Sequence, residues 1–298
     1  MPALETIQAY LEAQRSEVDR ELDRLLPPED AYPPSIHRAM RYSVFAGGKR
    51  LRPILCLESG RLFGGDEGIL RRAGSALEMI HTYSLIHDDL PALDNDDLRR
   101  GKPTSHRQFG EATAILAGDA LLTLAFETLA AADIDSEHAQ LRVVHELAHA
   151  IGTRDGMVAG QAVDLEVTAE ATDPATLDYI HAAKTGSFIR AAARTGAILS
   201  GAAETDLDRM TAYGEKIGLA FQIADDLLDV LGSKQSMGKA VGKDHRQQKA
   251  TYPALHGVAQ SQKIAARLVD DACAALQVYG ARAQRLQELA HFLIERNH

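Results

Sequence analysis

The sequence has few cysteines and no long uncharged apolar segment. Cys56 and Cys273 are the two cysteines among 298 residues, and they lie far apart without the spacing of a metal site. This scarcity argues against a disulfide framework and for a reducing compartment. The N-terminal residues are charged and form no apolar signal core, and no apolar run approaches the roughly 18 residues of a membrane span. We therefore expect a cytoplasmic protein with no membrane span.

Positive charge is also in short supply. Lysine and arginine number 32 against 42 aspartates and glutamates, which gives a net charge of −10. Nucleic acid is therefore not an expected partner. Any anionic ligand of so acidic a chain would need local cations, and metal ions are the obvious source.

Strand patterns are absent as well. No segment shows the apolar–polar alternation of a strand, and we find no internal repeat and no low-complexity segment. Apolar residues recur at helical spacing, so we predict an all-α fold in a single domain over residues 1–298. The helix at 110–131 is apolar on nearly all sides, which predicts a central position. Helices are predicted at 3–25, 35–47, 53–62, 67–90, 110–131, 136–152, 153–168, 174–201 and 205–231, followed by a helical C-terminal third.

A cluster of five aspartates lies at the end of the helix predicted at 67–90. Pro91 disfavours helix in the residue before it, so Asp88 and Asp89 are predicted in the last helical turn, where the helix dipole is unfavourable for acidic side chains. A bound cation would explain this placement. We interpret Asp88, Asp89 and Asp94 as oxygen ligands of Mg²⁺. The alternative is a solvated acidic loop.

A second aspartate cluster favours the metal hypothesis. Asp225 and Asp229 are four residues apart and share one helix face, where two like charges repel each other unless a cation lies between them. Asp226 adds a third carboxylate, and the flanking residues are apolar. Two such clusters are the pattern expected for two walls of a cavity that holds a metal-bound diphosphate.

Four further short motifs accompany the two clusters. They are Gly47-Gly48-Lys49-Arg50-Leu51-Arg52-Pro53, Gly160-Gln161-Ala162-Val163-Asp164, Lys184-Thr185-Gly186 and Gly238-Lys239. Together with the clusters, from about residue 42 to 253, they resemble the trans-prenyltransferases (isoprenyl diphosphate synthases), and most closely the bacterial farnesyl diphosphate synthases. The resemblance implies an isoprenoid-synthase-type helical bundle around a central cavity, and a homodimer.

The resemblance also implies the ligand sites. Three Mg²⁺ ions would bridge the allylic diphosphate to both clusters, with Asp88, Asp94 and Asp225 as direct ligands and Asp89, Asp226 and Asp229 bound directly or through water. The isopentenyl diphosphate site would consist of Lys49, Arg52, His81 and Arg100. The allylic diphosphate site would consist of Arg99, Lys184, Thr185, Gln222, Lys239 and Lys249. For any single lysine the alternative is a solvated surface residue, and for His81 it is a satisfied polar group on its helix.

The reaction implied is the head-to-tail (1′-4) condensation of isopentenyl diphosphate with dimethylallyl diphosphate and then with geranyl diphosphate. Lys184, Thr185, Gln222 and Lys239 are the implied catalytic residues, which stabilise charge as the allylic diphosphate departs. The released diphosphate is the implied base. Closure of a basic loop at 232–250 and of residues 296–298 over the site would exclude water.

Product length is predicted from the turn that precedes Asp88. Tyr83 and Ser84 lie there, and a large aromatic at Tyr83 would form the floor of the hydrocarbon tunnel. In the family, an aromatic at this place accompanies a fifteen-carbon product, so we predict (E,E)-farnesyl diphosphate. Geranylgeranyl diphosphate is the alternative product, and ordinary core packing is the alternative role of Tyr83.

Three other functions compete with this interpretation. The segment His145-Glu146-Leu147-Ala148-His149 has the spacing of a zinc-peptidase helix, for which Glu166 is a possible third ligand. A terpene cyclase shares the helical fold and the Mg²⁺ chemistry, but usually combines one aspartate cluster with an Asn/Ser/Glu triad. A non-catalytic subunit of a heteromeric synthase would tend to lack the clusters, and both are intact in this sequence.

Overall fold

The protein is described by a computed structural model, which covers residues 6–131, 136–167, 172–235 and 251–295, apart from the side chains of 232–235. The helices and strands are α1 (Ile7–Leu25), α2 (Pro34–Val44), α3 (Leu51–Leu62), α4 (Glu67–Asp88), β1 (Leu98–Arg99), β2 (Lys102–Pro103), α5 (Ser105–Phe109), α6 (Glu111–Ala130), α7 (Glu137–Ile151), α8 (Met157–Glu166), α9 (Pro174–His181), α10 (Ser187–Leu199), α11 (Glu204–Gln235), α12 (Tyr252–His256), α13 (Val258–Ala275) and α14 (Gln284–Ile294). A π-helical turn, Ala182–Gly186, joins α9 to α10, and a 3₁₀ segment, Gln277–Ala283, joins α13 to α14.

The described chain is built almost wholly of helices, which confirms the all-α prediction. The expectation of no strand was wrong at one place, because β1 and β2 pair as an antiparallel hairpin. Two residues per strand are too few to show alternation in the sequence. The turn residues Arg100 and Gly101 both have positive φ, at 53° and 77°, as a two-residue type I′ turn requires.

Several predicted helix boundaries need correction. α3 begins at Leu51 rather than at Pro53, because a proline is tolerated in the first turn, where its missing N–H is not needed. α7 and α8 do not meet at Gly152, since residues 152–156 between them are not helical. The predicted helix at 174–201 is divided by the π-turn.

Contacts divide the chain into two compact units. The first unit comprises the chain up to Val144 together with Leu199–Gly201, and the second comprises His145–Ile198 and the chain from Ala202 onward. Each unit has its own helix packing and its own buried apolar side chains. The prediction of a single domain over residues 1–298 stays a prediction.

In the first unit α4 packs against α6 and α3. The helix begins with a side-chain cap, since Asp66 accepts a hydrogen bond from the backbone amide of Ile69 at 2.9 Å. Leu70, Leu77 and Ile80 on α4 are fully buried, and each contributes about 1.5–3 kcal/mol by leaving water. This packing fixes the helix that carries the first aspartate cluster.

Helix α6 is not the enclosed central helix that its composition predicted. Leu121 is fully buried, but Ile115 and Leu116 are 44% and 58% exposed. The length and composition of α6 would allow it to cross a membrane, and among the described residues only α6 has this property. Buried helices of soluble proteins have the same property, so it is weak evidence for a membrane span. One side of α6 contacts α2, α4 and α5, while the side that carries Ile115 and Leu116 is open.

In the second unit α11 packs along α13. Ile223 and Leu227 of α11 form a buried apolar cluster with Leu177, Tyr252 and Ala265. These contacts connect four helices, α9, α11, α12 and α13, around the part of α11 that carries the second aspartate cluster.

Two glycines allow helices of the second unit to lie directly on the backbone of the π-turn. A Cβ atom on Gly160 of α8 would lie 2.3 Å from the Lys184 amide nitrogen, and one on Gly218 of α11 would lie 2.8 Å from the Gly186 Cα. Any larger residue at either place would push the π-turn away. The start of α9 is as predicted, because Asp173 accepts a hydrogen bond from the Thr176 amide at 2.7 Å.

Candidate active site

The predicted site residues of the first unit gather at the end of α4 and in the chain around it. His81, Tyr83 and Ser84 lie in the last turns of α4, which ends at Asp88 with Asp89 as its C-cap residue. This confirms that the first cluster begins in the last helical turn. The remaining members are Asp94 in the loop after α4, Arg99 in β1, Arg100 in the hairpin turn, Lys49 before α3 and Arg52 in its first turn.

Backbone hydrogen bonds fold the aspartate loop back onto the end of α4. The amide of Asp94 donates to the carbonyl of Asp88 at 2.9 Å, and the amide of Asp96 donates to the carbonyl of Asp89 at 3.2 Å. Both bonds satisfy carbonyls that a helix end leaves without an intrahelical partner. The loop therefore holds Asp94 next to the helix end that presents Asp88.

Arg99 binds the carboxylate of Asp89. Its Nε lies 2.8 Å from both carboxylate oxygens, and its Nη2 lies 2.6 Å from Oδ1. Asp89 is only 3% exposed, and this burial raises its pKa, although Arg99 acts in the opposite direction. In this structure both carboxylate oxygens of Asp89 are bound by Arg99, and the role of Asp89 as a metal ligand stays a prediction.

Removing Arg99 is expected to destabilise the protein. Arg99→Ala leaves the buried Asp89 without its cation, which we expect to cost about 2–3 kcal/mol; this is less than a fully buried pair would cost because Arg99 retains contact with solvent. Urea unfolding should show the loss as a lower midpoint. Arg107→Ala is the matched control, because Arg107 pairs with Asp97 where both side chains are exposed. Equal midpoints for the two variants would contradict the assignment.

Arg100 lies against the glycine loop that precedes α3. Its guanidinium donates a hydrogen bond to the Gly47 carbonyl, and a Cβ atom on Gly48 would lie 2.6 Å from its Nη1. Gly48 also has a φ of 134°, which other residues rarely adopt. The glycines of this motif thus let Arg100 approach the loop that carries the exposed Lys49.

His81 lies among positive charges. Burial lowers the pKa of His81 well below its usual range, and the charges of Arg52, Arg100 and Arg99 act in the same direction. The imidazole is therefore neutral at pH 7 and acts as a hydrogen-bonding group rather than as a cation. A small cavity of about 30 Å³ is lined by Asp89, Arg99 and Arg100. This part of the first unit has a high density of fixed positive charge, as the binding of an anion requires.

The second unit presents Lys184 and Thr185 on the π-turn. The Lys184 ammonium lies 2.7 Å from the Asp164 carboxylate of α8, and Gly160 of the same helix packs on the Lys184 backbone. Single π-turns inside helices often mark functional sites. The structure thus gives Lys184 a fixed place and a carboxylate partner.

Helix α11 carries the second aspartate cluster. Gln222, Asp225 and Asp229 lie on it at successive helical turns, which confirms the predicted shared face of Asp225 and Asp229. Gln222 and Asp225 are half-buried, and Asp229 is exposed. The helix continues to Gln235, four residues beyond the end predicted at 231.

Asp226 faces the protein. Its Oδ2 accepts a hydrogen bond from the Tyr252 amide at 2.9 Å and lies 3.7 Å from His181 Nε2. Burial raises the pKa of Asp226 to about 7, against the effect of the Tyr252 hydrogen bond. Three further carboxylates raise it by repulsion, namely Asp229, Asp225 and Asp164.

The carboxylates of both clusters fit a divalent cation. Crowding of partly desolvated carboxylates raises the free energy of their ionised forms, and a cation would lower it. Mg²⁺ suits such clusters, because it binds few carboxylates and completes its shell with water and substrate phosphates. The residues predicted to hold it are Asp88, Asp89, Asp94, Asp225, Asp226 and Asp229.

The zinc-peptidase alternative lacks structural support. Glu146 is bound to Arg194 at 2.8 Å and so is not available as a general base. The rings of His145 and His149 are 6.4 Å apart, and among residues whose positions are described no third ligand joins them. The sequence pattern is therefore a coincidence of helical spacing.

Some predicted residues lie outside the described part of the chain. These are Lys239, Lys249, residues 236–250 of the predicted basic loop and residues 296–298. Their predicted roles stay predictions.

Sequence reasoning missed three side chains around the second cluster and the π-turn. Asp164 was recognised within a motif but given no role, although its pairing with Lys184 shows one. His181 stands three residues before Lys184, and this proximity to a motif was the available signal. Tyr252 had no signal, because nothing in its spacing connects it with Asp226.

The sequence of this chain is similar to those of known proteins. The polyprenyl synthetase family profile matches residues 33–286. A geranylgeranyl pyrophosphate synthase 4 from Arabidopsis thaliana is 46% identical over 97% of this chain and 78% of its own length. A geranylgeranyl diphosphate synthase from Cyanophora paradoxa is 46% identical over 97% of this chain and 96% of its own.

Solved structures agree with the sequence comparison. The crystal structure of an FPP/GFPP synthase from Zymomonas mobilis matches with a TM-score of 0.86 at 40% identity, covering 97% of this chain and 98% of that one. A helical fold with two aspartate clusters and these relatives is that of a prenyltransferase enzyme. The chain belongs to the polyprenyl synthetase family.

Proposed function

We propose that the protein condenses isopentenyl diphosphate head to tail with allylic diphosphates in the presence of Mg²⁺. One observation carries this proposal: the first unit places a carboxylate cluster beside a basic cluster, with Asp89 bound to Arg99 and His81 set among Arg52 and Arg100. A diphosphate ester needs both, because carboxylates recruit its metal ions and fixed cations bind its oxygens directly. Membership of the polyprenyl synthetase family supports the same reaction.

The roles of the residues follow from their chemistry. When bound, Mg²⁺ (three ions by resemblance) would be held by the aspartates of each cluster and would supply Lewis-acid stabilisation of the departing diphosphate. We assign Lys184, which contacts Asp164, to bind an oxygen of the allylic diphosphate, and we assign Arg99, Lys239 and Lys249 to the same diphosphate. Lys49, Arg52, His81 and Arg100 are assigned to isopentenyl diphosphate.

The bond changes balance without a protein base. The C1–O bond of the allylic diphosphate breaks and leaves an allylic cation with the diphosphate as leaving group. The isopentenyl double bond then attacks, forming a C1–C4 bond, and a proton departs from C2 of the isopentenyl unit to the released diphosphate. Gln222 and the Thr185 carbonyl are assigned to stabilise the cation through their dipoles.

The product length has two candidates. The names of two similar curated relatives, both geranylgeranyl diphosphate synthases, favour geranylgeranyl diphosphate, the alternative product, over the predicted farnesyl diphosphate. One observation favours the shorter product: Tyr83 is only 8% exposed and packs edge-on against His87 with ring centroids 5.7 Å apart. We propose geranylgeranyl diphosphate as the main product and farnesyl diphosphate as the second candidate.

Product analysis tests the function. The protein is incubated with isopentenyl and dimethylallyl diphosphates, with Mg²⁺ or with EDTA, and the prenyl alcohols are identified after dephosphorylation. We expect Mg²⁺-dependent geranylgeraniol. Farnesol alone would select the second candidate, and no condensation by folded protein would reject the function.

Replacing Tyr83 tests whether it is the tunnel floor. His87 behind it is fixed, since its Nε2 lies 3.1 Å from the Ile115 carbonyl and Gly118 leaves room for its ring. Tyr83→Ala should therefore open space and lengthen the product by at least one isoprene unit, whichever product the wild type makes. Tyr10→Ala on α1 is the control and should leave the product unchanged. An unchanged product in Tyr83→Ala would assign Tyr83 to core packing.

The remaining partners are proposals as well. The open apolar side of α6, with Ile115 and Leu116 exposed, suits a homodimer interface, which light scattering would test. We expect the substrates to be isopentenyl, dimethylallyl and geranyl diphosphates, with no nucleic acid partner and no membrane span. A cytoplasmic location is the proposal that follows from the low cysteine content.

A further inference from the structure

A buried chain of contacts lies behind the second aspartate cluster. The amide of Tyr252 donates to Asp226 Oδ2 at 2.9 Å, and the Tyr252 hydroxyl donates to the Asp178 carboxylate. The Tyr252 ring stacks on the His181 ring, with centroids 5.4 Å apart and planes 16° from parallel. His181 Nε2 in turn lies 3.7 Å from the same Asp226 oxygen. These four residues come from three helices, α9, α11 and α12, and all belong to the second unit.

The side chains of His181 and Tyr252 have little conformational freedom in this arrangement. His181 is 5% exposed and Tyr252 is 4% exposed. Tyr252 is fixed at three points, by its amide, its ring and its hydroxyl, so its amide proton has a defined direction. His181 Nδ1 has no hydrogen-bond partner among the described residues, so the ring is held by stacking and not by a backbone contact of its own.

The contacts converge on one oxygen of Asp226. The Tyr252 amide donates a hydrogen bond to Oδ2, and His181 Nε2 faces the same oxygen from 3.7 Å, beyond direct hydrogen-bond distance. With Oδ2 covered from two sides, a cation at this cluster would meet the other oxygen, Oδ1. Partners behind a metal-binding carboxylate orient it, and losing such a partner typically lowers metal affinity about 10–100-fold. Core packing alone does not require a histidine at this position, because an apolar side chain would fill it without the free-energy cost of burying polar nitrogens.

We propose that His181 and Tyr252 are positioning residues that orient Asp226 and thereby set the affinity of the second cluster for divalent cations. The inference rests on the proposed function, because it takes the second cluster to bind the cation. It adds residues of α9 and α12 to the set that controls metal binding, and neither residue contacts the substrate in this assignment.

Cation binding is the direct test. Mn²⁺ is titrated into the full-length protein with inorganic diphosphate present, and free Mn²⁺ is followed by electron paramagnetic resonance. His181→Phe keeps the stacked ring but removes both nitrogens, and we expect Mn²⁺ to bind about tenfold more weakly. Tyr252→Phe removes only the bond to Asp178, and a smaller loss of about threefold is expected. The KM for isopentenyl diphosphate should not change.

A double-mutant cycle separates positioning from general damage. If His181 acts through Asp226, then His181→Phe should weaken Mn²⁺ binding by less than about twofold when Asp226→Asn is already present. Tyr279→Phe is the matched control, because it removes another tyrosine–aspartate bond in the same unit, from Tyr279 to Asp206 at 2.6 Å. That variant should bind Mn²⁺ as the wild type does.

The outcomes are distinct. Unchanged Mn²⁺ affinity in His181→Phe, or an equal loss with and without Asp226→Asn, would overturn the inference. If His181→Phe does not fold, His181→Leu serves in its place, because it also removes both nitrogens, and the same tenfold loss of Mn²⁺ affinity is expected. Wild-type protein that binds Mn²⁺ with diphosphate but forms no prenyl product would reject the proposed function alone, whereas wild-type protein that binds no Mn²⁺ would reject the positioning role.

Discussion

Replacing Asp226 by asparagine is expected to slow condensation about 100-fold and, at the same time, to stabilise the metal-free protein. The activity falls because the second cluster loses a charge that supports its cation. Stability rises because Asp226 is largely buried near three other carboxylates. Asparagine keeps an oxygen for the Tyr252 amide and removes the repulsion. A gain of about 1 kcal/mol would raise the thermal midpoint by about 2–4 °C.

The two effects are measured on the same preparation. Steady-state rates are taken with saturating Mg²⁺, and thermal unfolding is followed in EDTA. Asp271→Asn is the control, since Asp271 is an exposed residue of α13 that lies 3.9 Å from Lys216, and it should change neither quantity by much. A variant that loses both activity and stability would show that Asp226 serves the fold rather than the cation.

Gly160→Ala is expected to destabilise the protein strongly, because Gly160 leaves less room for a methyl group than any other glycine of the second unit whose surroundings are described. The new Cβ atom would lie 2.3 Å from the Lys184 amide nitrogen and 2.7 Å from its Cα. Backbone atoms cannot move aside as a flexible side chain can, so we expect a loss of about 3 kcal/mol. The π-turn would shift with Lys184 and Thr185, and a displacement of about 1 Å at reacting groups can cost about 100-fold in rate.

Urea unfolding and steady-state kinetics check this prediction together. Gly68→Ala is the control, because Gly68 lies on the exposed first turn of α4 and its Cβ would meet only a carboxylate oxygen of Asp66, at 3.2 Å. Alanine is intrinsically better than glycine in a helix by about 1 kcal/mol, so this control should be neutral or slightly stabilising. Wild-type stability and rate in Gly160→Ala would show that the close contact is not rigid.

Long-range periodicity made most helices predictable. The apolar repeat of α1 and the Asp173-Pro174 start of α9 each have a local physical cause that can be identified in the sequence. The two aspartate clusters were predictable for a different reason, since carboxylates in a last helical turn or four residues apart are unfavourable without a cation.

The tertiary contacts could not be predicted from the sequence. Nothing in the spacing predicts that Arg99 binds Asp89, or that Tyr252 binds Asp226, because each pair is formed by chain that returns from a separate element. In both clusters the second aspartate binds a group from a separate element. The sequence treats neighbouring aspartates as equivalent, whereas in the first cluster Asp89 is buried and Asp88 is only half-buried.

The π-turn also rotates α10 about the helix axis relative to α9. The Ser187 amide bonds to the Ala182 carbonyl, five residues earlier, so one residue more than a regular turn is accommodated. Each residue of an α-helix turns the chain by about 100°, and α10 is therefore rotated by about that angle from where α9 would have continued. Deleting any one residue of Ala182–Gly186 would restore a regular helix but would turn the apolar face of α10 outward, so length changes at this point are far less tolerable than substitutions.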